Sequence, residues 1–231
     1  MTKHHFNENM EIIDTESLEK TEQDLADKFI SYNDIVLEIG GRYGTVSTII
    51  NKKLKLKKNH VVVEPDPTVL QALEINKKNH GCEFKIETGV ISDKKQTLVQ
   101  DGYGTRLIND NDPNEDNVQV NYMTYRELKN KYKLTFNTLV VDCEGCFLNV
   151  LESIGDDISE IEKIILEKDQ PDLCDYKKIE DILKFNNFCK VIDGFHSVYT
   201  RNCNNNLHLL SIFIGFIILF LVILIFTKCN L

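Results

Sequence analysis

Short apolar runs alternate with amphipathic stretches along most of the chain. Ile35–Ile39, His60–Glu64 (HVVVE), Glu83–Thr88 (EFKIET), Thr138–Asp142 (TLVVD) and Lys163–Glu167 (KIILE) read as strands rich in β-branched residues. Between them lie helical patterns. Thr15–Ser31 carries Leu18, Leu25, Phe29 and Ile30 at near-helical spacing, and Thr45–Lys53, Phe147–Ile154 and Asp175–Asn186 follow suit. Pro67–Lys78 opens with proline in its first turn, where the missing N–H costs nothing. Val191–Arg201 holds one or two closing strands, 97–117 is loop-like, and residues 1–14 are polar and expected to be disordered. Strands that alternate with helices make βαβ units and a doubly wound, mostly parallel α/β sheet of Rossmann-like type. The continuous apolar runs fit strands covered on both faces.

One stretch breaks the pattern. Leu209–Phe226 (LLSIFIGFIILFLVILIF) contains no charge, and as a helix it would reach about 27 Å, close to the hydrocarbon thickness of a bilayer. No polar face is left for water. Residues 207–227 are therefore expected to form one transmembrane helix after an asparagine-rich linker, 202–206, and a domain spanning 15–201. Lys184, Lys190 and Arg201 precede the span and only Lys228 follows it, a bias that places the domain in the cytoplasm, held by a C-terminal, single-pass anchor in the lipid bilayer.

The net charge is −9 over 231 residues. That argues against general nucleic-acid binding, which uses a basic surface. The Lys52–Lys58 run reads as a solvated helix end. Seven cysteines without regular spacing do not form a disulfide framework, and no glycosylation sequon occurs, so a reducing compartment is expected.

The chemistry concentrates in VLEIGGRYGTVSTII, Val36–Ile50. Gly40, Gly41 and Gly44 fall between the first strand and its helix, the turn that faces the ligand crevice of a doubly wound sheet. Glycine there permits a sharp turn and a close approach to the backbone. The motif lacks the Lys-Ser/Thr of a phosphate loop and is not G-x-G-x-x-G. Acidic Glu38 before G-x-x-x-G suits a ligand with positive charge and no phosphate, S-adenosylmethionine. Glu64, twenty positions after Gly44, ends the second strand, where a carboxylate can accept both ribose hydroxyls.

VLEIGGRYGTVS, VVVEPDPTVLQALEINKKN, ETGVISD and LVVDCEGCFLNVLES together resemble, in order and spacing, the FkbM-type S-adenosylmethionine-dependent methyltransferases over about Asp34–Arg201. Asp142-Cys143-Glu144-Gly145 matches that family's D-x-E-G turn. The resemblance implies a seven-strand methyltransferase sheet with one antiparallel edge strand, and methyl transfer to a hydroxyl oxygen of a glycan or small metabolite. The chain differs at Glu38, where the family has Asp, at Arg42 within the glycine turn, and at Phe147, where an acid often follows D-x-E-G.

The candidate site follows. Glu38, Gly40, Gly44, Glu64 and Asp142 would bind the cofactor, and Asp142 and Glu144 would act in catalysis by holding or removing the hydroxyl proton. The competing assignment for Asp142 is a turn carboxylate before a helix. His60 and His196 read as structural, and Cys143 and Cys146 as small core residues. Glu167 and Asp169 end the fifth strand and could join Asp142 at a metal, although nothing demands one. Acceptor specificity is expected in 97–123. A rival from another class is an inactive, methyltransferase-like binding domain held at a membrane. A dinucleotide enzyme is disfavoured by the missing G-x-G-x-x-G.

Overall fold

The computed structural model describes residues 4–101, 104–109, 118–201 and 203. Five strands run parallel: β1 (Val36–Ile39), β2 (His60–Glu64), β3 (Lys85–Thr88), β4 (Thr138–Val141) and β5 (Lys163–Glu167). Two more, β6 (Cys189–Ile192) and β7 (His196–Thr200), close the sheet as a hairpin. The order is β6-β7-β5-β4-β1-β2-β3, and β7 runs antiparallel to both neighbours. The sheet is therefore the seven-strand, mostly parallel type expected.

The helices are α1 (Lys20–Phe29), α2 (Thr45–Lys53), α3 (Leu70–His80), α4 (Tyr125–Tyr132), α5 (Phe147–Ile154) and α6 (Tyr176–Phe185). β1 and β4 are buried at every position, because helices cover both sheet faces. Alternate side chains go to opposite faces. Leu37 and Ile39 join Val61, Val63, Leu139 and Val141 in the larger core, with Phe147, Val150 and Ile164. Val36 packs with Ala26, Ile50, Val140, Ile165 and Val198 on the other face.

Several expectations need correction. Residues 4–14 are folded: His5–Phe6 pairs antiparallel with Ile12–Ile13, and Asn76 fastens this hairpin to α3 through the Phe6 backbone, at 2.9 and 2.8 Å. The expected helix at 15–31 is shorter, Lys20–Phe29, with turns before it. Within 97–117, read as loop, Gln96–Asp101 pairs with Gly104–Asn109, and Val118–Gln119 adds a third antiparallel strand. α4 was not foreseen, although Thr124 and Glu127 form a capping box at its start.

One compact unit spans Met1–Arg201. The second unit, 202–231, contains the expected linker and span, and apart from Cys203 it lies outside the described residues. Among the described residues no helix is long and apolar enough to cross a membrane.

Candidate active site

The strand order reverses direction at β1 and β4, and the crevice at their carboxyl ends is where an open α/β sheet binds its ligand. A cavity of about 340 Å³ lies there, within the usual range for small-molecule sites. Ile39, Val63, Val90, Ile91, Leu98 and Leu107 give it an apolar wall. Gly40, Glu64, Asp142 and Glu144 line it as expected, together with Glu19, Glu22 and Glu167.

Glu64 ends β2 and turns its carboxylate back on the glycine turn. One oxygen accepts the N–H groups of Gly41 (3.0 Å) and Arg42 (2.6 Å), and the other accepts that of Asp66 (2.8 Å). Burial raises its pKa, and these N–H bonds oppose the shift. The carboxylate is thus oriented at the cavity edge by main-chain donors, which side-chain changes other than to proline leave in place.

The glycines have a reason the sequence did not show. Gly40 has φ +90°, and a Cβ on it would lie 1.6 Å from the carbonyl oxygen of Asp142. Gly44, at φ +78°, would meet Leu73 at 2.8 Å. What comes close to this backbone is the protein itself: strand β4 and helix α3. Gly40 still lines the cavity, whereas Gly44 lies behind it as the residue before α2.

Glu38 also differs from expectation. Its carboxylate lies 2.8 Å from His60 Nε2, and both side chains are buried in the sheet. It lines a small adjoining cavity with Asp142, Glu167 and His196 rather than the main one. His60, read as structural, is structural by way of Glu38.

Asp142 follows β4 and is tied to β1 by its N–H to Ile39 O at 2.9 Å. Burial holds its carboxyl well above the usual range, helped by Glu19, Asp169, Glu144 and Glu22. The next residues turn sharply, with Glu144 at φ 51° and Gly145 at φ 85°. Gly145 N–H donates to Asp169 at 2.9 Å, and Gln170 donates to Glu144 at 3.1 Å. Cys143 and Cys146 were expected to be separate core residues; instead they are joined as a disulfide across this turn, at the cavity wall. Cys189 and Cys203 are also disulfide-bonded, against the expectation of an unpaired set.

Arg42 lines the cavity, with its guanidinium over the Tyr43 ring at 4.8 Å and an N–H to the Tyr43 hydroxyl at 3.3 Å. That hydroxyl donates in turn to Glu8. Phe147 is buried in the larger core as the first residue of α5, so an acid there would have no access to the cavity without repacking.

Sequence reasoning missed the α1 side of the site. Glu19 precedes α1 with φ 52° and accepts from Thr45. Burial pushes its pKa up to about 7. His196 Nε2 lies 2.7 Å from Glu22 and 3.4 Å from Glu167, and the two carboxyls share a hydrogen bond. Burial, then Glu22, pushes Glu167 up to about 10. The ligand atoms of these three lie within 4.8 Å of one another, close enough for a metal ion, and their mutual hydrogen bonds already satisfy them. Asp142 and Asp169 do not belong to this group. No signal in α1 could have marked Glu19 or Glu22, since a polar surface helix looks the same.

No family model matches the chain, and no curated protein sequence does. Solved structures do. Sp1610 of Streptococcus pneumoniae, in complex with S-adenosyl-L-methionine, aligns at TM-score 0.48 and 12% identity, covering 78% of this chain and 72% of that one. A ribosomal protein L11 methylase from Lactobacillus delbrueckii subsp. bulgaricus aligns at 0.46 and 14%, covering 78% and 75%. TrmK of M. capricolum, with S-adenosyl-homocysteine, aligns at 0.43 and 13%, covering 77% and 64%. The fold class of this chain rests on its own strand order, a seven-strand, doubly wound, mostly parallel sheet with one antiparallel strand.

Proposed function

We propose that the domain is an S-adenosylmethionine-dependent methyltransferase that methylates a hydroxyl oxygen of a glycan or small metabolite. The observation that carries this reading is the Glu64 carboxylate. It sits at the tip of β2, aimed by three main-chain N–H groups, beside the Gly40 turn and the apolar wall of one cavity. The bound cofactor would supply an electrophilic methyl group on a sulfonium.

The chain's own residues would do the rest. Glu64 would accept the ribose hydroxyls with lone pairs its N–H partners leave available. Val63, Ile91 and Leu98 would cover an aromatic base and exclude water. Burial, then its acidic neighbours, hold the Asp142 carboxyl well above the usual carboxylate range. A cation in the cavity would favour its ionised form, and the carboxylate could then take the acceptor's proton. Glu144, held by Gln170, stands next to it. The surplus of carboxylates would repel phosphate-bearing acceptors, in keeping with the absence of nucleic acid from the proposed partners.

Residues 207–227 are proposed as a single membrane anchor, with the domain on the cytoplasmic side. This rests on the apolar run and on the bias of basic residues across it.

Titration calorimetry with S-adenosylmethionine and, separately, with a dinucleotide tests the cofactor assignment. Saturable heat with the first and none with the second is expected; the reverse would overturn it. Binding without turnover on any hydroxylated acceptor would favour the second reading, an inactive binding domain, for which Arg42 in the cavity lining is the specific observation.

A further inference from the structure

The disulfide between Cys143 and Cys146 has no part in the chemistry above, yet it occupies the wall of the same cavity. It bridges Cα atoms 5.5 Å apart and encloses only Glu144 and Gly145. Both enclosed residues have positive φ. For glutamate that conformation is costly, and it persists only when the surroundings impose it. The residue just before the bridge is Asp142, and the residue just after it begins α5, with Cys146 as the N-cap. Both cysteines are partly exposed, unlike Cys82 and Cys174, which are buried.

We propose that Cys143–Cys146 is a redox-active disulfide that sets the shape of the cavity wall. The reductant is a dithiol. Its thiolate attacks the Cys143 sulfur and forms a mixed disulfide. The Cys146 sulfur leaves as a thiolate at the N-terminus of α5, where the helix dipole favours negative charge. The second thiol of the reductant then attacks its own sulfur in the mixed disulfide and releases Cys143. Two electrons pass to the protein, the dithiol becomes a disulfide, and its two protons end on the cysteines or in solvent. With the bridge closed, Glu144 and Gly145 are locked in the left-handed turn. With it open, the turn relaxes, and Glu144 and Asp142 lose their fixed placement at the cavity.

The ligand half of this proposal rests on the methyltransferase reading; the redox half does not. The test uses the full chain in detergent micelles, equilibrated in buffers of reduced and oxidised dithiothreitol, alkylated, and mapped by mass spectrometry. Cys143 and Cys146 should become labelled together under native conditions, while Cys82 and Cys174 stay unlabelled. Hydrogen exchange at residues 144–147 should speed up at least tenfold on reduction. Calorimetry with S-adenosylmethionine should show at least tenfold weaker binding by the reduced chain. The double variant Cys143→Ser, Cys146→Ser should match the reduced chain whatever the buffer.

A pair that resists reduction until the chain unfolds would overturn the proposal, as would equal exchange rates in the two forms. If neither form binds S-adenosylmethionine, the methyltransferase reading fails, and labelling with exchange still decides the redox site. Equal affinity of both forms overturns the control of the cavity.

Discussion

The carbonyl oxygen of Asp142 stands 1.6 Å from where a Cβ on Gly40 would be. The two residues directly follow neighbouring strands, β1 and β4, so the glycine lets the chain leave both strands side by side at the crevice. Gly40→Ala should therefore cost more than about 3 kcal/mol, through backbone collision and unfavourable φ together. Gly155 also has positive φ, but nothing lies within 4 Å of its Cβ position, so Gly155→Ala should cost about 1–3 kcal/mol, the conformational part alone. Urea unfolding of the two variants separates collision from conformational freedom. A fully stable Gly40→Ala protein that merely failed to bind ligand would restore the simpler view of a ligand-contact glycine.

The buried pair of Glu38 and His60 makes a second prediction. Removing one partner leaves the other without a hydrogen-bond partner inside the sheet. His60→Ala should cost about 3–5 kcal/mol, the range for breaking such pairs. Chemical denaturation gives the number, and a loss below 1 kcal/mol would mean the pair contributes little.

Stability should depend on pH with a sign set by the cavity acids. Glu19 and Glu167 have folded pKa values raised to about 7 and about 10. The folded state then holds more protons than the unfolded one, so their contribution is complete below about 4.5 and is lost as pH climbs toward those values. His5 works the other way. Burial and then His80 lower it to about 4, so its contribution is complete above 6.5 and is lost as pH falls toward 4. Melting temperature should fall from pH 6 to pH 9, and Glu167→Gln should flatten that slope. His5→Gln should flatten only the acidic limb. A slope unchanged in Glu167→Gln would rule out this origin.

Glu64→Ala should weaken S-adenosylmethionine binding by about 1–3 kcal/mol, the cost of leaving buried polar groups unpaired. Asp142→Asn should reduce turnover far more than it reduces affinity, once a screen of glycans and small hydroxylated metabolites supplies an acceptor. Matching losses in both quantities would make Asp142 a positioning residue for the cofactor rather than a proton acceptor.

Deleting residues 207–231 should convert a membrane-pelleting protein into a soluble one that keeps its ligand affinity. Protease added outside sealed vesicles should digest the domain and spare the segment in the bilayer. A domain protected inside the vesicles would reverse the proposed orientation.

The central strands were legible because burial on both faces leaves an unmistakable apolar run: Val36–Ile39, His60–Glu64 and Thr138–Val141 differ from expectation by a residue at most. The hairpin after Gln96 was not read, since polar residues fill much of it. Gly40, Glu64, Asp142 and Glu144 were found at the cavity because motif order places them at strand ends. Glu38 and Gly44, assigned to a ligand, also meet His60 and Leu73 within the protein. His60 and Leu73 reach them only through strand pairing and helix packing. The Cys143–Cys146 pair was visible as C-x-x-C, yet the turn that brings the sulfurs together is a property of Glu144 and Gly145 backbone angles.

The N-terminal hairpin and α1 bear on how the molecule is made. Phe6 finds its hydrogen-bond partner Asn76 seventy residues later, and Glu22 meets His196 after a further 174 positions of chain counted from itself. During synthesis both segments must wait, unpaired, until the rest emerges. At about 5–20 residues per second that wait is many seconds. Such distant pairings also slow folding itself, because loop-closure entropy is met before the contacts repay it. The cavity wall that holds Glu22 therefore gains its His196 partner only after β7 has been made.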